Sequence, residues 1–153
     1  MTRARALGSV ALAALVALAV LTPAAGCSRG PSARYVADGG AHTLADVERS
    51  AAGVSLGDAA AVKVEDAPRV RQQVLARLRS NGASAGQAAD LMTREFPVET
   101  KAVPLHVEAA TVDGKAVWIV VEAWADRTGD LKYRRLWVFD RTTSYVLDSK
   151  TYR

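Results

Sequence analysis

The spacing of apolar residues changes three times along the chain, and each change predicts a different kind of structure. From Ala6 to Leu21 the run is continuous and carries no charge. Between Asp66 and Pro97 apolar residues recur every three or four positions, the rhythm of amphipathic helices. Val70, Val74, Leu75 and Leu78 fall on one helical face, while Arg69, Arg71, Arg77 and Arg79 lie largely elsewhere. Asp66 is the expected N-cap, Pro68 sits in the first turn and Asn81-Gly82 supplies the stop. A second helix is predicted from Ser84, with Gln87 completing a capping box. Ala88, Leu91, Met92 and Glu95–Phe96 carry its 3.6-residue rhythm, and Pro97 ends it.

Beyond Pro97 the period shortens to two. Two strand-like runs flank Asp113-Gly114, a hairpin signal because both turn positions tolerate positive φ. A two-residue loop pairs Val112 with Lys115, Ala110 with Val117 and Glu108 with Ile119. Val117 to Val121 is apolar on both faces, which suits a central strand. Arg127 to Asp130 reads as a loop, "LKYRRLWVFD" as a third strand and "SYVLDSKTYR" as a fourth. Trp118, Trp124, Trp137 and Phe139 are the bulky candidates for packing one face of this meander on the helices. The expected fold is α+β: two amphipathic helices, then a four-stranded antiparallel β-meander.

Between Thr43 and Lys63 the signal is weaker. "TLADVERSA" fits a short helix capped by Thr43 with Asp46 in its first turn. "VSLGDAAAVKV" fits strand and helix equally.

Charge adds to the picture chiefly at the N-terminus. Arg3 and Arg5 precede the uncharged run, and Thr22 and Pro23 break it before the small residues Ala24, Ala25 and Gly26. A positive n-region, an apolar core of about 16 residues and small residues after it form an export signal, slightly short for a membrane span. Set those two arginines aside and 18 basic groups face 16 acidic ones, a surplus too small for a nucleic-acid partner. Arginine outnumbers lysine 15 to 5 and alanine is abundant, a bias suggesting a GC-rich bacterial genome.

Cys27 is the only cysteine, so an intrachain disulfide is impossible, and a lone thiol in an exported protein calls for a use. Ala24-Ala25-Gly26-Cys27 resembles the lipobox of bacterial lipoproteins, with Ala24 where that family more often has Leu. The resemblance implies cleavage between Gly26 and Cys27 and a diacylglyceryl thioether on Cys27. It would place the protein at the cell membrane, lipid-anchored on the extracytoplasmic face, residues 1–26 being the signal peptide. Residues 27–42, rich in Ser, Gly and Pro, read as a flexible tether, and Arg29 and Arg34 are placed to touch anionic headgroups. Residues 43–153 form the single domain. The order of its elements is loosely similar to beta-lactamase inhibitor proteins and, at "LWVFDRTTSYVLD", to the terminal hairpin of PepSY domains.

Candidate chemistry is sparse. No nucleophile elbow, phosphate loop or dinucleotide fingerprint is present, no cofactor is implied, and Asp126, Asp130 and Asp140 do not match a calcium loop. His106 and Glu108 are two residues apart on one strand face, an acid–base or metal-binding pair that lacks a third ligand, while His42 falls in or near the tether. Arg127, Lys132, Arg134, Arg135 and Arg141 cluster around the third strand near Tyr133 and Trp137, a candidate surface for an acidic polymer or an envelope protein. The expectation is a membrane-anchored binding or interaction module without catalytic activity. The alternatives are a secreted inhibitor-like module and a hydrolase or metal-dependent enzyme using His106 and Glu108.

Overall fold

A computed structural model describes residues 30–153. Residues 1–29, with the expected export signal, Gly26, Cys27 and Arg29, lie outside the described residues. The rest begins with two short strands, β1 (Arg34–Val36) and β2 (Ala41–His42). Helix α1 (Leu44–Gly53) and a 3₁₀ turn at Gly57–Ala61 follow, then helices α2 (Ala67–Arg79) and α3 (Ala83–Glu95). Strands β3 (Ala102–Val112), β4 (Lys115–Trp124), β5 (Tyr133–Asp140) and β6 (Val146–Tyr152) complete the chain.

The fold is α+β, with three helices rather than two and a mixed rather than purely antiparallel sheet. Strand order is β1-β3-β4-β5-β6, and β2 also pairs with β3. The expected meander is the antiparallel part, and its hairpin has the predicted register: Val112 opposite Lys115, Ala110 opposite Val117, Glu108 opposite Ile119. Asp113 and Gly114 take φ of 47° and 81°, as a two-residue loop requires.

The largest correction is at the tether. β1 and β2 run parallel to β3, with Tyr35 opposite Val107 and His42 opposite Val112. Arg77 donates to the carbonyls of Gly30 and Pro31 at 2.8 and 2.9 Å. Thus 30–42 belongs to the domain. The free edge of β3 is a row of unpaired amides and carbonyls, and this segment covers it.

Helices cover both faces of the sheet, not one. Val117, Ile119, Val121 and Ala123 of β4 pack with Val47 and Ala51 of α1. The alternate residues Trp118 and Val120 pack with Ala88, Leu91 and Met92 of α3, beneath Phe139. Helix α2 serves both clusters, through Val70 and Val74 in the first and Leu75 and Leu78 in the second.

Thr43 caps α1 through a capping box with Asp46. The other two caps differ from expectation. Asp66 spends its carboxylate on Arg69 at 3.2 Å rather than on a backbone amide. Helix α3 starts at Ala83, one residue before Ser84, because Gly82 turns the chain at φ 111° and serves as its N-cap. None of the described helices is long and apolar enough to cross a membrane.

Candidate functional site

On the α1 face of the sheet, a cleft of about 750 Å³ opens between α1 and strands β1 to β4. Its floor is apolar: Val47, Ala51, Leu105, Ile119 and Val121. Arg34, Asp38, His42, His106 and Glu108 supply the polar wall.

Glu108 is the centre of that wall. A register shift between Pro104 and His106 is followed by regular pairing, which puts His106 and Glu108 on one face of β3. The Nε2 of His106 lies 2.8 Å from Glu108 Oε2, and the Nε2 of His42 lies 3.0 Å from Oε1. His42 is therefore a second imidazole on Glu108, delivered by the segment expected to be a tether. Gly39 allows the approach, because a Cβ there would overlap the Glu108 carboxyl.

Side-chain exposure is 16% for both Glu108 and His106 and 33% for His42. Burial pushes the Glu108 carboxyl up, but the hydrogen bonds from His106 and His42 outweigh it and hold the group below its ordinary value. An ionised carboxylate only accepts, so each Nε2 donates to Glu108. The two imidazoles address separate oxygens, and on β3 they sit to either side of Glu108: His106 before it, His42 opposite Val112 beyond it. Among the described residues no group of three His, Cys, Asp or Glu is arranged to hold a metal ion.

The five basic residues grouped by sequence do not form one patch. Arg134 turns to the α1 side and donates to the carbonyl of Val54. Arg141 lies 4.6 Å from the Trp118 ring centroid, near the hairpin end of the sheet. Arg127 and Lys132 stay together beside Arg153. Arg135 turns the opposite way from Arg134, onto the face shared with α2 and α3, and reaches Glu122 Oε2 at 3.2 Å.

Glu122 is fully buried, and sequence reasoning passed over it. Arg71, placed on paper away from the apolar face of α2, is only 2% exposed and pairs with Glu122 Oε1. It also donates to the carbonyl of Ala102 at 3.2 Å, and Trp137 Nε1 donates to Glu122 Oε2 at 2.9 Å. Burial drives this carboxyl upward, yet Arg71 and Arg135 beside it hold it below its ordinary value. The signal was available: one acid inside the apolar run of a central strand requires a buried cation.

No family model, curated protein or solved structure matches this chain. Function therefore rests on the geometry above and on the N-terminal residue pattern.

Proposed function

We propose that this protein is an exported lipoprotein, anchored through Cys27 on the extracytoplasmic face of a membrane, whose domain binds a small amphiphile in the α1-side cleft. The anchor is supported by the residue pattern from Arg3 to Cys27. The binding role is carried by one observation, the cleft with an apolar floor walled by His42, Glu108 and His106. A concavity of this size that joins apolar side chains to a few convergent polar groups suits a small ligand. Glu108 is an acceptor, and Asp38 adds a carboxylate at the rim against the single cation of Arg34. A cationic or hydrogen-bond-donating head on an aliphatic body matches that wall.

Thermal denaturation with n-hexylamine and with hexanoate tests this reading. Hexylamine at about 100 times its Kd contributes about 2.7 kcal/mol of stabilisation. Glu108→Gln should abolish the gain, and hexanoate should give none. No stabilisation by hexylamine, or equal stabilisation of the variant, would contradict the reading.

A second reading, acid–base catalysis at the same groups, is favoured by the second imidazole that His42 brings to Glu108. It predicts turnover of a panel of ester and amide substrates that disappears in His106→Ala while the melting temperature is kept.

A further inference from the structure

The opposite face of the sheet carries a second surface, at the margin of the core and apart from the cleft. Alternation along β4 and β5 puts Trp124, Tyr133, Arg135 and Trp137 on the face shared with α2 and α3. Helix α3 ends at Glu95, and Phe96 closes against Trp137 with ring centroids 5.2 Å apart. Past that point no described helix covers the sheet, and the rings of Trp124, Tyr133 and Trp137 are half-buried.

Cations and rings alternate across this platform. The Arg135 guanidinium lies 4.8 Å from the Trp137 centroid and 5.7 Å from that of Trp124. Trp124 and Tyr133 are 5.5 Å apart, and the Arg153 guanidinium stands 5.8 and 5.7 Å from their centroids. Lys132 Nζ is 5.1 Å from the Tyr133 centroid. On the neighbouring strand, Ser149 and Thr151 stand opposite Trp137 and Arg135, both exposed. Two shallow depressions of about 400 and 600 Å³ lie along the platform and meet at Asp126. Lys101, Arg127, Lys132, Arg135 and Arg153 line them, and the one acid in their lining, Asp126, is already paired with Arg153 at 3.1 Å.

We infer that this surface binds an acidic polysaccharide, with sugar carboxylates on Arg127, Lys132 and Arg153 and a sugar ring against Trp124. Two adjoining depressions suit a polymer longer than one residue. The half-buried rings and the exposed Ser149 and Thr151 hydroxyls suit a ligand that presents C–H faces and hydroxyl groups together. The small positive surplus of the exported part argues against a nucleic acid. This inference depends on neither the anchor nor the cleft.

Tryptophan fluorescence of the full chain, titrated with polygalacturonate, is the direct test, because Trp124 and Trp137 line the site. Saturable quenching is expected, weakened by salt, with no response to neutral dextran. Lys132→Ala with Arg153→Ala should lower affinity about tenfold or more, and so should Trp124→Ala. The double variant alters only exposed side chains, so it carries the test should the tryptophan variant fold poorly. It should still be stabilised by hexylamine, which separates failure here from failure of the cleft. Absence of polygalacturonate binding, or undiminished binding by the double variant, would overturn the inference. Polyglutamate or oligothymidylate binding as tightly as polygalacturonate would also overturn it, by showing that charge alone is read.

Discussion

Two carboxylates on neighbouring strands show how a single residue's surroundings decide what it does. Glu122 is sealed between Arg71, Arg135 and Trp137 and holds the sheet to α2. Glu108 reaches the cleft with two imidazoles as partners. Arg71→Met leaves Glu122 buried with one fewer cation and should cost about 3–5 kcal/mol, read as a lower urea midpoint with unchanged slope. Both acids are held below their ordinary range in the folded chain. Each therefore contributes stability that is complete above the unfolded carboxyl value and is lost as pH falls through the folded value. Urea midpoints should decline as pH drops below about 4.5, and Glu108→Gln should flatten part of that decline. Gly39→Ala forces a methyl group into the Glu108 carboxyl and should destabilise by about 1–3 kcal/mol. Its effect should be smaller in a Glu108→Ala background, which a double-mutant cycle would show.

Among the elements, those specified by neighbours in sequence were legible and those specified by distant partners were not. The Asp113-Gly114 hairpin was readable because the loop fixes the register and the side-chain period is two. The start of α1 was readable because Thr43 and Asp46 satisfy each other's end of the helix. Thr43→Ala should cost about 1 kcal/mol, measurable as a lower melting temperature. β1 and β2 are only 3 and 2 residues long and carry no alternating pattern of their own. Their pairing is dictated by the open edge of β3, which a local reading cannot see. Deleting residues 30–40 should therefore lower the melting temperature, whereas removal of a true tether would leave it unchanged.

At the scale of the whole molecule, the α+β class and the central place of β4 were legible from the switch between helical and strand periods. The cleft was half legible. His106 and Glu108 are two residues apart, but His42 meets Glu108 across 66 residues, and no spacing rule links them. The basic cluster was legible in part: strand alternation alone puts Arg134 and Arg135 on opposite faces, but their partners, Val54 and Glu122, come from elsewhere in the chain. Under the proposed anchor, the described fold also shortens the path to the membrane. With Arg77 holding Gly30, only Ser28 and Arg29 separate Cys27 from the domain. Three residue steps span about 10 Å at most, so a lipid on Cys27 would set the domain directly on the headgroup layer. The most direct test of this account is the intact mass and N-terminal peptide of the protein isolated from the envelope. A mature chain that begins at Cys27 and carries a diacylglyceryl group is the predicted result. An unmodified thiol, or a chain that begins at any other residue, would contradict it.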